Sequence, residues 1–283
     1  MRVCVVGDGL SALTLAKAIV NQNICIDIYA RKKTKSINQT RTIGISKNNS
    51  DFFNNNIINI KKLLWKLNKI EIFTENLKNE KLLNFENKND QLFSIIKNHE
   101  LYKVLEKDLS KSKYFKKFIV KKDNLSFINN YDLIINCDDA NAITNKYFSK
   151  IIIKNYYSLA YTTIITHKKI ANNSATQIFT KLGPLAFLPI SNNETSVVYS
   201  IQYPFNKKKP NIEELIHYYN SKYEINKINK VENFELQSLN LRSYYYKNIL
   251  AFGDLLHKIH PLAGQGYNMT IRDIMVITKI IKK

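Results

Sequence analysis

Short apolar runs recur along this chain, and their period changes from one region to the next. Residues 2–6 (RVCVV), apolar from Val3 on, predict a short buried strand. Residues 10–22 follow, with Leu10, Leu13, Ala16, Ala18 and Ile19 available for packing, and predict a helix. Residues 24–29 (ICIDIY) predict a second strand. Strand, glycine turn, helix and strand make a βαβ unit, whose strands run parallel.

Residues 31–50 are polar and predict a loop. A helix is expected over 51–68, carrying Trp65, the only tryptophan. The mixed stretch 69–98 holds the short apolar runs IEIF and LFSII. A helix is expected over 99–112, then strands at 117–121, 124–128 and 132–136. Between 151 and 203 the runs IIIKNYY, LAYTTIIT, TQIFT, PLAFLPI and TSVVYSIQY predict successive strands, with a helix after them over 211–223. ILAF (249–252) predicts a strand leading into a glycine-rich segment and a final helix. Asn- and Lys-rich tracts near 47–56, 78–90 and 206–209 predict surface loops.

The two ends thus read as α/β and the middle as β-rich. The last strand is expected to rejoin the first sheet, with the middle laid over it. This predicts a discontinuous ligand-binding domain, 1–65, 98–150 and 245–283, and a second domain, 66–97 and 151–244.

Composition narrows the function classes. A hydrophobic fraction of 45%, with 17 Tyr and 14 Phe, supports a real core and excludes a disordered chain. The net charge of +20 invites a nucleic-acid reading, but only five of 43 basic residues are Arg: Arg2, Arg31, Arg41, Arg242 and Arg272. Phosphate and base recognition favours Arg forks, so no nucleic-acid partner is expected. Lys scattered among Asn and Ile reads as coding bias, with loose attraction to an anionic membrane face as the remaining electrostatic role. Cys4, Cys25 and Cys137 lie in apolar runs and are expected as free core thiols, with no metal-ligand spacing. The first strand begins at residue 2, and no apolar run reaches the roughly 18 residues of a bilayer span. A cytoplasmic protein, at most peripheral to the inner membrane, is the expectation.

The glycines carry the chemistry. There are seven, and five stand in two short segments at the chain's ends. Gly7-Asp8-Gly9-Leu10-Ser11-Ala12 fits G-x-G-x-x-[GA] between a strand and a helix. In that pattern the first glycine turns, the second lets a diphosphate approach the backbone, and the third small residue packs helix on strand. The helix then points its amides and positive end at the diphosphate. An acid is expected about 20 residues on, to hold a ribose. Tyr29 stands there, followed by Ala30 and Arg31, while Asp27 is assigned to the opposite strand face. Tyr29 as ribose partner, Arg31 as phosphate partner and an ordinary strand end all stay open.

The second segment is Phe252-Gly253-Asp254-Leu255-Leu256-His257-Lys258-Ile259-His260-Pro261-Leu262-Ala263-Gly264-Gln265-Gly266-Tyr267-Asn268. A strand delivers an Asp into a loop stiffened by Pro261, and a helix start aims its positive end back at the loop. Such a loop suits a ring system that gains negative charge on reduction. The segment resembles the GDAAHxxHPxxGQGxNxGxxD motif of class A FAD monooxygenases, and the match runs on to Asp273. Gly183-Pro184-Leu185-Ala186-Phe187-Leu188-Pro189 resembles that family's GPLALLP strand, and Arg41-Thr42-Ile43-Gly44-Ile45-Ser46 its arginine segment near the flavin. The resemblance is strongest to the ubiquinone-biosynthesis hydroxylases, relatives of para-hydroxybenzoate hydroxylase.

The resemblance implies a Rossmann-like FAD-binding domain with an inserted β-sheet substrate layer. FAD is the implied cofactor and NAD(P)H the implied reductant. O₂ and a lipid-like aromatic ring are the implied substrates, with partner proteins of quinone biosynthesis. Asp254 would hold the ribityl chain, Pro261 would lie near the reactive edge, and Gly264, Gln265, Gly266, Tyr267 and Asn268 would line the flavin. His257 is a candidate acid–base group. Three departures keep two alternatives open, another class A flavin oxidoreductase and a non-catalytic FAD-binding component. The family's DGxxSxxR is here Asp138-Asp139-Ala140-Asn141-Ala142-Ile143-Thr144-Asn145, whose extra Asp139 is expected to repel a pyrophosphate. GDAAH is GDLLH. The chain also ends soon after this motif, where the family continues with more helices, which leaves a reduced version, a fragment and a member that relies on partners all open.

Overall fold

The computed structural model describes residues 1–31, 38–75, 81–87, 90–120, 130–202, 210–258 and 264–281. The chain opens with β1 (Arg2–Val6), α1 (Leu10–Val20), β2 (Cys25–Arg31), β3 (Thr42–Ser46) and α2 (Lys47–Phe52). Then come β4 (Trp65–Leu67), β5 (Lys69–Thr74), β6 (Lys81–Glu86), β7 (Phe93–Lys97), α3 (Asn98–Leu109), β8 (Phe115–Val120), β9 (Leu133–Asn136) and α4 (Ala142–Tyr147). The β-rich middle is β10 (Ile151–His167), β11 (Ser174–Thr180), β12 (Gly183–Pro189), β13 (Glu194–Gln202), α5 (Ile212–Tyr219), β14 (Ile225–Ile228) and β15 (Glu232–Leu241). The chain returns through β16 (Tyr245–Tyr246), β17 (Ile249–Ala251), α6 (Asp254–His257) and α7 (Gln265–Ile281).

Three sheets result. A six-stranded sheet runs β16-β17-β9-β1-β2-β8, parallel throughout except for the β16–β17 hairpin. β1 lies inside it, with Val3, Cys4 and Val5 fully buried, as a continuous apolar run in a two-faced sheet requires. α1 packs its Leu13, Leu15, Ala16 and Ile19 into one core with β1, β2, α3 and α7. The last strand, β17, pairs with β9 as expected, so both glycine segments leave the same end of one parallel sheet. Ligands gather at the carboxyl ends of such strands.

The larger sheet runs β14-β10-β13-β12-β11-β5-β6, with β15 also on β10. IIIKNYY and LAYTTIIT form one 17-residue strand rather than two, bent at a bulge between Asn155 and Ser158 where Tyr157 takes φ +50°. A small sheet, β3-β7-β4, joins the two layers.

Residues 31–50, expected as a loop, carry β3 and the start of α2, and two further expectations fail for identifiable reasons. The helix over 51–68 stops early: α2 gives way to a π turn at Phe53–Ile57, and Trp65 lies on β4. Asparagine side chains compete for that backbone. Asn54 Nδ2 donates to the Ser50 carbonyl, Asn56 Nδ2 to the Phe52 carbonyl, and Asn54 Oδ1 accepts from the Ile60 amide. The cysteines differ too, for Cys4 is buried but Cys25, at the start of β2, is exposed. β14 and β15 were not foreseen, because their polar residues hide the alternation. The expected strand 124–128 lies outside the described residues.

Candidate functional site

The first glycine turn is open. Gly7 takes φ +103° and donates its amide to the Tyr29 carbonyl, which closes the β1–β2 corner. Gly9 is the N-cap of α1 with an ordinary φ of −67° and no side-chain cap. A Cβ at Gly9 would meet nothing within 4 Å, so the fold itself makes no demand for glycine there. The space fits an external group lying against the backbone. The first-turn amides of α1, Leu10 to Ala12, point to the same place and favour an anion. Ala12 is fully buried against the sheet, as the third small position requires.

The second segment reaches that turn from 240 residues away in sequence. Gly253 takes φ +61°, and a Cβ there would come within 2.6 Å of Ser11 Cβ. The close approach lets Ser11 Oγ donate to Asp254 Oδ1 at 3.3 Å. Asp254 is exposed, and no ion pair among the described residues takes up its charge. Burial, with the carboxylates of Asp254 and Asp138, pushes the Cys137 thiol up, so it stays protonated in the floor between the two segments.

The rest of the second segment is engaged with the protein. Asn268 Nδ2 donates to the Gly44 and Gly264 carbonyls at 2.8 and 2.9 Å. Its Oδ1 accepts from the Ser46 amide at 3.0 Å and from Asn49 Nδ2 at 2.7 Å. Tyr267 is packed into the core beside α1, and its hydroxyl meets Thr14 Oγ1 at 2.7 Å. The Asn268 and Tyr267 side chains therefore brace β3 and α1, and only their backbone faces remain for a ligand. Gln265 is exposed, and Gly264 abuts Gly44, where a Cβ would come within 3.1 Å of the carbonyl. Pro261 lies outside the described residues.

His257 Nε2 contacts Asp273 Oδ2 at 2.5 Å, tying α6 to α7. Arg41 stacks its guanidinium 4.5 Å from the Phe234 ring on the larger sheet, while next door Thr42 Oγ1 meets Ser196 Oγ at 2.9 Å. Arg41 thus stands at the seam between layers.

The end of β2 corrects the reading that set Asp27 on the strand face opposite Tyr29. Asp27 and Tyr29 share one face, because residues two apart on a strand must. Tyr131 joins them, donating to Asp27 Oδ2 at 2.7 Å and accepting from Tyr29 at 3.0 Å. Tyr29 also stacks on Phe118, 5.1 Å between centroids. Ala30 is fully buried, so it offers a ligand only its backbone. Arg31 bonds the Ala140 carbonyl and pairs with Asp138 at 3.5 Å, which ties it to the loop after β9.

Charge around the open turn is balanced. Asp8 pairs with Lys117 at 3.0 Å and accepts from Tyr102 at 3.2 Å. Burial works against the Lys117 charge, but hydrogen bonds to Glu106 and Asp8 outweigh it and hold its pKa above the ordinary lysine value. Asp139, expected to repel a pyrophosphate, is met by Lys258 Nζ at 2.9 Å. These pairs were invisible in the sequence, where nothing marks Lys117 or Lys258 among so many lysines. Among the described residues no His, Cys, Asp and Glu cluster could hold a metal ion.

No family model matches the chain. Its fold, however, is that of solved FAD-dependent monooxygenases. It superposes on PqsL, a probable FAD-dependent monooxygenase from Pseudomonas aeruginosa, with a TM-score of 0.76 at 13% identity, covering 99% of this chain and 85% of that one. It superposes equally, at 0.76 and 12% identity, on 2-methyl-3-hydroxypyridine-5-carboxylic acid oxygenase, covering 100% of this chain and 82% of that one. The fold class is therefore the para-hydroxybenzoate-hydroxylase-like α/β fold.

Within that class, the sequence is similar to ubiquinone-biosynthesis enzymes. It is 23% identical over 193 residues to the mitochondrial ubiquinone biosynthesis monooxygenase COQ6 of Danio rerio, 53% of this chain and 40% of that protein. It is 30% identical over 115 residues to the 3-demethoxyubiquinol 3-hydroxylase of Escherichia coli, 38% of this chain and 29% of that one. The matches thus span less than half the length of either relative.

Proposed function

We propose that the protein is an FAD-dependent monooxygenase that hydroxylates an aromatic ring of a ubiquinone precursor. The observation that carries the reading is the meeting of Ser11 and Asp254 at 3.3 Å, which joins a diphosphate-type turn to a ribityl-type carboxylate at one sheet end. The similarity to ubiquinone-biosynthesis monooxygenases supports the substrate class.

The residues divide the work. Gly9 and the α1 amides would hold the diphosphate, and the exposed Asp254 would accept a ribityl hydroxyl. Amides at the start of α7, around Gly266 and Asn268, would face the electron-rich end of the ring system. When bound, FAD would supply the redox chemistry for a hydroxylation that consumes O₂ and NAD(P)H and yields water with the hydroxylated ring. The larger sheet would floor the substrate site and keep water from it. His257, held by Asp273, positions α6 rather than moving a proton. We place the protein in the cytoplasm, in contact with the membrane that holds its substrate and with other enzymes of quinone biosynthesis. Among the described residues no helix is long and apolar enough to cross a membrane.

The test begins with colour. Purified protein should be yellow, and heat should release FAD by chromatography. Release of FMN, or no flavin after reconstitution, overturns the reading. Turnover of lipid quinone precursors in preference to soluble phenols then checks the substrate. Bound FAD without any turnover would leave the non-catalytic component.

A further inference from the structure

One surface of the molecule combines exposed aromatics with cations and lacks acids. It forms where the end of α4, the first half of β10 and the β16 hairpin converge. Tyr147 stacks on Tyr246 at 4.7 Å, and the Arg242 amide donates to the Lys150 carbonyl at 3.1 Å. Ile151 pairs with Leu241 across β10 and β15. These contacts make the segments one patch.

Its exposure is unusual for such residues. Tyr244 is 57% exposed, Tyr245 69%, and Ile152, on the β10 face it shares with Lys154, 46%. Large apolar side chains grouped on a surface mark an interaction site. Lys146, Lys150, Lys154, Arg242 and Lys247 are also exposed. Segments 140–158 and 240–250 contain no Asp or Glu at all. Lys146 and Lys247 extend over the Tyr147 and Tyr246 rings at 5.2 and 5.7 Å from the centroids. Tyrosines with an apolar body and polar tip, ringed by lysines on flexible stems, suit the headgroup layer of an anionic bilayer.

We infer that this patch seats the protein peripherally on an anionic lipid surface. Charge complementarity selects the occupant, since five cations without a carboxylate fit a sheet of anionic headgroups. The patch also adjoins the candidate cofactor site, because β15 holds α6 through the Leu239 amide and the Lys258 carbonyl at 2.9 Å. The inference deepens the lipid-substrate reading and rests on it for its purpose, but docking is measured without flavin or turnover.

The experiment is flotation of the full chain with vesicles of phosphatidylcholine alone or mixed with phosphatidylglycerol. Three variants accompany it: Tyr244→Ser/Tyr245→Ser, Lys146→Gln/Lys150→Gln/Lys154→Gln/Lys247→Gln, and a control of equal charge change, Lys61→Gln/Lys62→Gln/Lys66→Gln/Lys103→Gln. The parent should float with anionic vesicles only. Both patch variants should lose about tenfold or more in affinity, and the control little. Tyr245→Trp should be quenched by brominated lipid, while Trp65 of the parent is not. Equal loss in control and patch variants would assign binding to diffuse charge and overturn the inference. So would a parent that ignores vesicles, including one that instead self-associates through the patch. A protein that floats but takes up no FAD would sink the monooxygenase reading and leave the patch standing.

Discussion

The turn after β1 and the segment after β17 are both rich in glycine, yet they use it for different ends. At Gly253 the protein itself fills the space: φ is +61° and Ser11 Cβ would sit 2.6 Å from an added Cβ. At Gly9 the backbone is ordinary and the space is open. The same contrast runs through the neighbours. Tyr267 and Asn268 spend their polar atoms on α1, β3 and α2, whereas Ser11 and Asp254 turn theirs toward the open turn. A motif residue can be required by the fold or by a ligand, and the two requirements separate by mutation.

The largest effect should come from that separation. Gly253→Ala puts an alanine in a conformation that favours glycine and a methyl against Ser11, a loss of roughly 2–4 kcal/mol. The melting temperature of the flavin-free protein should fall by several degrees. Gly9→Ala should leave that temperature nearly unchanged and instead weaken FAD binding, read by fluorescence titration. If both variants lose only stability, the open space at Gly9 has no ligand.

A smaller effect divides the two carboxylates of the second segment. Asp254→Ala should weaken FAD binding by about tenfold or more, because a hydrogen bond to a charged group is worth about 1.5–3 kcal/mol. Asp273→Ala should release His257 and lower stability while leaving flavin affinity close to the parent. Equal affinities in the two variants would count against the assignment of Asp254.

The smallest effect is electrostatic and tests the neutralised turn. The Lys117 pKa is raised on folding, so its contribution is complete below the unfolded lysine value of about 10.4 and is lost as pH rises through the folded value. The urea midpoint of Lys117→Met should lie below that of the parent from pH 7 to about 10. The gap should close at higher pH, when the parent loses the same charge beside Asp8 and Glu106. A gap that does not change with pH would mean the loss is one of packing.

Much of this architecture was legible along the chain. The run RVCVV, the G-x-G-x-x-A turn and the spacing of Leu13, Ala16 and Ile19 determine the βαβ start, because burial on both faces and a helical period leave few other solutions. ILAF before Gly253 pointed to a strand returning to that sheet. Legibility failed where short-range competition or long-range pairing decides. The Asn side chains at 54 and 56 ended the helix that would have carried Trp65, and the polar run ENFELQSLNL hid β15.

At the candidate site the sequence determined which residue types were present and, through the glycine spacing, where two backbone turns had to lie. Only the tertiary structure decided their occupation. It set His257 against Asp273, Arg31 against Asp138 and Lys258 against Asp139, and it left Asp254 exposed with no ion pair among the described residues. The reason is physical. Strand and helix periods are local, so one stretch of chain suffices to fix them. A charge is paired or free only according to what the fold brings within about 4 Å, and the partners of Arg31 and Lys258 come from segments more than a hundred residues away.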